Sequence, residues 1–359
     1  MFFYEDIKQV HLEITSRCNA RCPQCPRNIN GGITNPALPL DEIDLEKAIT
    51  LFPPAFVSQL HELFMCGNYG DPVVATDTLQ VFQYLRRQNA TMRLMMHTNG
   101  SGRDVNWWQS LAAAGVKVRF GIDGLHDTNH IYRRGTNWNH IMKNAAAFIA
   151  AGGQAEWCFI VFKHNEHQVK EAEITSQRMG FRRFILKRTK RFHNQNKGEK
   201  VTGTPVVGLT GEFEYFIEPP TDPQYQLPLN DGALSQSSSY ENHLLTTPID
   251  CIAAKQKMIY VSAKGLILPC CWLGDIYPRD GSFKARQIWK LIDSLPEGEL
   301  SINDREKGIK QVVEGPFFQQ YVPGCWQPAK EKNDRLLICA TTCGIGNLVQ
   351  RQIALQPKV

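Results

Sequence analysis

Short apolar or alternating segments recur through the first half of the chain, separated by amphipathic stretches. The segments are residues 8–15, 60–66, 92–97, 116–122, 155–162 and 181–186. A period of two, or a short run rich in branched and aromatic residues, is typical of a β-strand. The stretches between them have the periodicity and capping residues of helices. Strands alternating with helices at roughly 25- to 35-residue intervals predict parallel strands joined by right-handed crossovers.

Six strand–helix units predict an α/β fold, a partial (β/α)6 barrel of the TIM type. In such folds the ligand-binding groups collect at the C-terminal ends of the parallel strands. Cys18, Gly67, Asn99 and Asp123 all lie just after predicted strands. We therefore expect them along one edge of the barrel.

The pattern changes after the sixth predicted strand. Residues 191–246 are rich in Asn, Gly, Pro, Thr and Ser and show little periodicity, which predicts a linker or a long insertion. Two alternating apolar runs then flank residues 263–265, which predicts a β-hairpin in a small C-terminal β-hairpin/α domain. The predicted domains are residues 1–190, 191–246 and 247–359.

Composition sets limits on the class of protein. A chain of 359 residues with 42% hydrophobic content has room for one large domain and a smaller one. A formal charge of +5 is too small to predict a nucleic-acid or membrane partner. The N-terminal residues lack the basic and then apolar layout of a signal peptide, so we expect a cytoplasmic protein.

The 11 cysteines are clustered, which favours metal ligation over a disulfide framework. Cys18, Cys22 and Cys25 have the spacing C-x3-C-x2-C within a single loop. Thiolates select iron–sulfur clusters, zinc or copper(I). A structural zinc takes four ligands, whereas three thiolates leave a position open. The alternative is a zinc loop completed by His61 or His97.

The spacing of these cysteines resembles the signature of the radical S-adenosylmethionine (SAM) superfamily. In that superfamily three cysteines hold a four-iron four-sulfur (4Fe-4S) cluster, and the amino and carboxylate groups of SAM chelate the open iron. One position departs from the family pattern, because Gln24 stands where an aromatic residue is usual.

Residues 67–71, which follow the second predicted strand, contain two glycines. Glycines here allow a sharp bend and close approach of the backbone to a ligand, although an ordinary tight turn is the alternative. The segment resembles the family's glycine-rich motif, which hydrogen-bonds the SAM amino group. The resemblance places the usual acidic position at Asn68 or Asp71.

Residues 124–138 resemble the segment after the fourth strand in the peptide-modifying and dehydrogenase branches of the family. By that resemblance Arg133 or Arg134 pairs with the SAM carboxylate, while a solvated helix face is the alternative. Serine is frequent in those branches where this chain has Gly121. The expected SAM-binding residues are Gln24, Gly67, Asn68, Gly70, Asp71, Asn99, Asp123, Arg133, Arg134 and Ile160. The cysteines within strands, Cys66 and Cys158, are predicted to be buried and inert.

Six further cysteines lie between residues 251 and 343. Their spacing resembles the auxiliary-cluster region of the SPASM and Twitch radical SAM proteins, with enough ligands for the single cluster of the Twitch form. By that resemblance the ligands of a second 4Fe-4S cluster are Cys251, Cys270, Cys339 and Cys343, with Cys325 and Cys271 as alternates. A zinc ribbon-like site would use the same residues.

The resemblance implies a radical SAM enzyme of the oxidoreductase or peptide-modifying type. Such an enzyme reductively cleaves SAM to a 5′-deoxyadenosyl radical and abstracts hydrogen from its substrate. It requires both clusters, SAM and an electron donor such as flavodoxin or ferredoxin. The basic residues 187–193 and the long insertion favour a peptide or protein side chain as substrate.

The sequence leaves several alternative functions open. Related enzymes dehydrogenate small aminocyclitols, and others use SAM for methylation or carbon–sulfur insertion. A different class of function is a non-catalytic zinc-binding interaction protein.

Overall fold

A computed structural model of the chain describes residues 2–189, 191–194, 199–226, 237–277 and 281–345. The chain divides inside its first strand into two compact units. Leu12–Leu229 form one, which we call the barrel unit. Met1–His11 and Asn230–Val359 form the other, which we call the C-terminal unit.

Parallel strands form the sheet of the barrel unit. They are β1 (Gln9–Leu12, of which Leu12 lies in this unit), β2 (Glu62–Met65), β3 (Arg93–Thr98), β4 (Val116–Gly121), β5 (Gln154–Ile160) and β6 (Arg183–Lys187). Strands β2 to β6 pair in parallel in chain order, and the amide of Cys66 donates to the carbonyl of Leu12 at 3.2 Å. Among the described residues β6 pairs with β5 alone, so the barrel is open. The predicted partial (β/α)6 barrel is confirmed.

Helices connect these strands. They are α1 (Leu45–Leu51), α2 (Pro54–Gln59), α3 (Thr78–Gln88), α4 (Val105–Ala113), α5 (Asn129–Tyr132), α6 (Trp138–Ala150) and α7 (Val169–Met179). Asp44, Asp104 and Asn137 cap α1, α4 and α6, because each side chain accepts a hydrogen bond from a backbone amide of the first turn. Gly180 ends α7 in the left-handed conformation, with φ of 87°.

The face of the sheet that packs on the helices is apolar and aromatic. The ring centroid of Trp108 on α4 lies 5.2 Å from that of Phe120 on β4, and the ring centroid of Phe148 on α6 lies 6.1 Å from that of Phe120. Successive strand residues point to opposite faces. Arg119, next to Phe120, therefore belongs to the other face, which is the inner face of the barrel.

Part of the segment predicted as a linker or insertion forms antiparallel hairpins. Strand β7 (His193–Asn194) pairs with β8 (Glu199–Lys200), and β9 (Thr204–Val207) pairs with β10 (Phe213–Ile217). Val206 and Ile217 are fully buried in an apolar cluster that includes Cys22. The second hairpin is thereby part of the barrel unit. Residues 195–198 and 227–236 of the predicted segment lie outside the described residues.

The C-terminal unit contains the predicted hairpin. Strand β11 (Met258–Val261) pairs antiparallel with β12 (Ile267–Leu268), and Gly265 in the turn has φ of 91°. Its helices are α8 (Ser237–Thr246), α9 (Ile252–Lys255), α10 (Phe283–Asp293), α11 (Asp304–Val313), α12 (Val322–Gly324) and α13 (Leu337–Cys343). The hairpin residues Tyr260 and Leu268 are fully buried. In the described ranges of both units, none of the helices has the length and apolar character needed to cross a bilayer.

Candidate functional site

Three cysteines lie close together on the loop that follows β1. Cys22 is buried with Ala20 and Tyr132, and Cys18 and Cys25 pack against the same apolar cluster. The loop turns between its last two cysteines, because the amide of Cys25 donates to the carbonyl of Cys22 at 3.0 Å. We call residues 18–25 the cysteine loop. Its short spacing and tight turn bring three sulfurs into one buried environment.

Burial and polar neighbours both act on the sulfurs of the cysteine loop. Burial raises the pKa of all three thiols, that of Cys25 to about 11. Asn99 Nδ2 lies 3.9 Å from Cys18 Sγ, and Arg133 Nη1 lies 3.9 Å from Cys22 Sγ. Iron stabilises the thiolate form, so a bound cluster would offset the cost of deprotonating these groups.

The donor set fits a cluster with one iron that has no protein ligand. Three thiolates from one loop are the soft ligands that iron–sulfur clusters take. In the part of the chain that the structure describes, no three His, Cys, Asp or Glu side chains converge enough to hold a single metal ion. A 4Fe-4S cluster binds each thiolate through a different iron, so its ligands need not converge on one point.

The glycine turn, residues 67–71, lies at the same edge of the sheet. Glu13 Oε1 accepts hydrogen bonds from the amides of Tyr69 at 2.7 Å and Gly70 at 3.0 Å. A Cβ atom on Gly70 would lie 1.7 Å from the carbonyl oxygen of Thr15, and one on Gly67 would lie 2.3 Å from the Gly70 carbonyl oxygen. The backbone approach therefore requires glycine at both positions.

Asp71 connects this turn to the end of β3. Its two carboxylate oxygens accept the amides of Val73 at 3.0 Å and Asn99 at 2.7 Å. Burial raises the pKa of Asp71, although these hydrogen bonds act in the opposite direction. The Asn99 side chain in turn donates to Asn19 Oδ1 at 2.8 Å, within the cysteine loop. Asp71 and Asn99 thus hold the glycine turn, β3 and the cysteine loop together.

A buried ion pair follows β4. Asp123 is fully buried and accepts Arg133 Nε at 2.6 Å and the Ile160 amide at 2.7 Å. A Cβ atom on Gly121 would lie 2.5 Å from Arg133 Nη2. Glycine at this position therefore leaves the space that the guanidinium occupies. The pair places the Arg133 guanidinium directly beside the sulfur of Cys22.

The comparison with protein families agrees with this geometry. The family model for the Radical SAM superfamily matches residues 12–173, which extend from the last residue of β1 into α7. These residues form a radical SAM domain. The match includes the cysteine loop, the glycine turn and the Asp123–Arg133 pair.

Solved structures share the fold of the radical SAM domain. Hexahistidine-tagged anSMEcpe with bound AdoMet has a TM-score of 0.52 and 12% identity, over 94% of this chain and 86% of that chain. Native anSMEcpe with bound AdoMet has a TM-score of 0.51 and 13% identity, over 93% and 89% of the two chains. SuiB of Streptococcus suis bound to S-adenosylmethionine has a TM-score of 0.47 and 15% identity, over 74% of this chain. The match spans 60% of SuiB. At 12% and 13% identity, the likeness to anSMEcpe is one of fold.

The structure distinguishes the two adjacent arginines of the radical SAM domain. Arg134 donates to both carboxylate oxygens of Glu214 on β10, at 2.6 and 3.1 Å. Its guanidinium also lies over the ring of Tyr215, 5.6 Å from the centroid. Arg133 instead lies at the cysteine loop. The SAM contacts expected from the sequence remain predictions for both residues.

Two other predicted SAM-binding residues also contact the cysteine loop or belong to it. Ile160 packs against the apolar cluster around Cys22. Gln24 Nε2 donates to Thr204 Oγ1 of β9 at 2.9 Å, and its Oε1 is buried with no hydrogen-bond partner among the described residues. Gln24 therefore links the loop to the hairpin and keeps one polar atom free for a ligand.

Other residues near the site were missed by the sequence reasoning. Glu13, which holds the glycine turn, lies in the first predicted strand, where alternation alone gives it no role. The hairpin of β9 and β10 packs on the cysteine loop, but its strands are too short to give a periodic signal. Arg191 donates to the hydroxyl of Tyr132, beside Cys22. The basic composition of residues 187–193 was the one available signal for Arg191.

A second cysteine site lies within the C-terminal unit. Cys251, Cys270, Cys339 and Cys343 line one pocket, together with apolar residues that include Trp272 and Trp326. Backbone pairing explains part of this convergence. The Asp250 amide donates to the Cys343 carbonyl at 2.9 Å, which places Cys251, at the start of α9, beside the end of α13.

The four sulfurs of this pocket influence one another. Burial raises the pKa of Cys270 and of Cys339. A hydrogen bond between the sulfurs of Cys251 and Cys343 lowers the pKa of Cys251 and raises that of Cys343. The alternates Cys271 and Cys325 are not among the residues that line the pocket.

Proposed function

We propose that this chain cleaves SAM reductively and abstracts hydrogen from a peptide or protein side chain, which it oxidises or otherwise modifies. One observation carries the proposal. The buried Cys22 and the partly buried Cys18 and Cys25 meet the glycine turn and the Asp123–Arg133 pair at the C-terminal edge of the barrel. This arrangement places soft metal ligands next to groups that can bind the amino and carboxylate groups of an amino acid.

In this proposal Cys18, Cys22 and Cys25 hold a 4Fe-4S cluster with one open iron. When bound, the reduced cluster supplies one electron to SAM, which yields a 5′-deoxyadenosyl radical. The chain contributes placement and exclusion of water. Burial of Cys22 within an apolar cluster serves that exclusion.

The contacts support a division of roles among the proposed SAM-binding residues. Both oxygens of Asp71 already accept backbone amides, so we assign Asp71 to positioning of the turn, and Asn68 stays the predicted contact of the SAM amino group. Arg134 is engaged with Glu214, whereas Arg133 lies at the cysteine loop. We therefore assign the SAM carboxylate to Arg133, whose planar fork suits bidentate binding.

We further propose that the pocket in the C-terminal unit holds a second 4Fe-4S cluster. Its four lining cysteines equal the number of thiolates that fully ligate such a cluster. Full ligation leaves no iron free to bind substrate. This count favours acceptance of an electron from the substrate, which makes the net reaction an oxidation.

Exposed basic residues support the choice of a peptide or protein as substrate. Lys187 and Arg188 are exposed at the end of β6 and just after it, at the C-terminal edge of the barrel. A positively charged edge attracts anionic segments. Dehydrogenation of a small aminocyclitol-like molecule is the alternative, and product analysis separates the two.

The test is anaerobic reconstitution with iron and sulfide, followed by a reduced assay with SAM. We expect about eight irons per chain, since each of two clusters contains four. We also expect 5′-deoxyadenosine, which a non-catalytic zinc-binding protein would not form. A methylated product would instead indicate a methyltransferase. Mass spectrometry of peptides and metabolites from cells that express the wild type or Cys22→Ala then identifies the substrate.

A further inference from the structure

A row of charged residues lies on the inner face of the barrel unit, next to the site assigned above. The strand register pairs Arg119 of β4 with Glu156 of β5, and Glu156 with Arg183 of β6. Cys158 and Lys187 lie two and four residues further along β5 and β6, on the same face. The row thus extends from the middle of the sheet to its C-terminal edge.

This row has more positive than negative charge. Glu156 has a fully buried side chain and pairs with Lys117 at 2.8 Å and with Arg119 and Arg183 at 2.7 Å. Burial alone would raise the pKa of Glu156, but its hydrogen bonds to Lys117, Arg183 and Arg119 lower it to about 2. Three cations share one carboxylate, so the ion-pair cluster around Glu156 has a net charge of +2 (three minus one).

Lys187 adds a further charge. It is exposed, and none of the ion pairs found among the described residues includes it. Both Lys187 and Arg119 lower the pKa of the Cys158 thiol, which burial raises. Arg119 lies on β4 and Lys187 on β6, the two strands that flank β5 and its Cys158.

The cations can reach a ligand. The side chain of Arg119 is 21% exposed and that of Lys117 is 26% exposed. Arg119 uses Nε and Nη2 to bind one oxygen of Glu156, which leaves Nη1 for another acceptor. A carboxylate or phosphate above Cys158 could contact Arg119 from one side and Lys187 from the other.

This position is close to the proposed reaction site. Arg119 precedes Gly121 by two residues on β4, a step of about 7 Å. The guanidinium of Arg133 covers Gly121 and lies 3.9 Å from Cys22 Sγ. A group bound between Arg119 and Lys187 would therefore lie close enough to the cysteine loop for one small molecule to reach both.

We propose that the substrate carries a carboxylate or phosphate group that binds between Arg119 and Lys187, near the carbon that loses hydrogen. The inference rests on the proposed function and narrows its substrate to anionic molecules or acidic side chains. Neutral and cationic substrates would leave the net positive charge of this row without an anionic ligand.

The experiment measures anion binding by the full, anaerobically reconstituted chain with SAM present. Inorganic phosphate and acetate serve as separate probes, at ionic strength held constant with sodium chloride, and calorimetry gives their dissociation constants. We expect at least one probe to bind, with an affinity at least fivefold weaker in Lys187→Gln. The matched control is Lys170→Gln, which removes the same charge from the exposed surface of α7. It should bind as the wild type does.

Binding of phosphate, of acetate or of both supports the inference when Lys187→Gln weakens it and Lys170→Gln does not, and the probe that binds identifies the kind of group. The inference is overturned if neither probe binds the wild type, or if Lys187→Gln binds as tightly as Lys170→Gln. Formation of 5′-deoxyadenosine by the wild type is measured in parallel. If SAM is cleaved and no anion binds, this inference fails while the proposed function stands; if SAM is not cleaved, the proposed function fails.

Discussion

The two cysteine sites differ in number of sulfurs and in surroundings. The cysteine loop provides three sulfurs from one short segment, with Asn99 and Arg133 beside them. The pocket of the C-terminal unit collects four sulfurs from distant segments, among apolar side chains such as Leu273 and Val322. An open iron requires polar groups that position its additional ligand, whereas a fully ligated cluster requires none. The polar residues therefore lie where the fourth thiolate is missing.

The comparison predicts that Cys22→Ala has the largest effect on iron content and on SAM cleavage. Loss of one of three ligands should lower the iron content from about eight to about four per chain and reduce 5′-deoxyadenosine formation to background. Iron analysis and the reduced SAM assay measure both quantities. The control is Cys66→Ala, which removes a thiol that belongs to neither site. Unchanged SAM cleavage in Cys22→Ala would contradict the assignment of the cysteine loop.

Cys339→Ala tests the second site. We expect about four irons per chain again, but retained cleavage of SAM, because the cysteine loop is intact. Formation of the oxidised product should fall, since the proposed electron acceptor is lost. Cys325→Ala is the matched control, as Cys325 does not line the pocket. Retention of about eight irons in Cys339→Ala would exclude this ligand set.

Gly70→Ala tests the glycine turn, which belongs to the first site alone. The added Cβ would lie 1.7 Å from the Thr15 carbonyl oxygen, so the backbone must move. We expect SAM to bind about tenfold more weakly, a change of roughly 1.4 kcal/mol. Equilibrium dialysis against SAM measures the change. Gly324→Ala should behave as wild type, because a Cβ there meets no atom within 4 Å.

The adjacent arginines should differ in their effect on stability. Arg133→Gln leaves the buried carboxylate of Asp123 without its partner, and removing one member of such a pair costs about 3 kcal/mol. Arg134 pairs with Glu214, whose carboxylate is 33% exposed and remains solvated when its partner is lost, so Arg134→Gln should lower the free energy of unfolding clearly less. Anaerobic denaturant titration measures both. Equal losses in the two variants would contradict the distinction.

Air should remove iron from the two sites at different rates. A cluster with an open iron exposes that iron to oxidant, so we expect several-fold faster loss from the cysteine loop. SAM should slow this loss and leave the loss from the second site unchanged. Iron release from Cys339→Ala and Cys22→Ala, each with one site intact, separates the two rates. If SAM protects both sites from iron loss, the assignment of the open iron to the cysteine loop alone is contradicted.

Much of the fold follows from local signals in the sequence. Short alternating runs predicted all six strands of the barrel within a few residues, and the polar start of α4 at Asp104 fits its observed cap. The hairpin of β11 and β12 followed from two apolar runs around a glycine turn. Spacing alone identified the three cysteines of the cysteine loop, because the whole set lies on one segment.

Other features depend on contacts between distant segments. The packing of Val206 and Ile217 on the cysteine loop has no periodic signal in the hairpin that carries it. The sequence alone does not show whether Arg133 or Arg134 lies beside Cys22, because the backbone conformation at the end of α5 determines which side chain points towards Cys22. The role of Glu13 depends on backbone amides 56 and 57 residues away.

The central claim is that the cysteine loop holds a cluster whose open iron binds SAM. Electron paramagnetic resonance of the reduced, fully loaded Cys339→Ala variant tests it directly, because that variant should retain the first cluster alone. We predict a clear change of the signal when SAM is added, and no cluster signal from the cysteine loop when Cys22→Ala is combined with Cys339→Ala. A reduced cluster signal that is identical with and without SAM would contradict the claim.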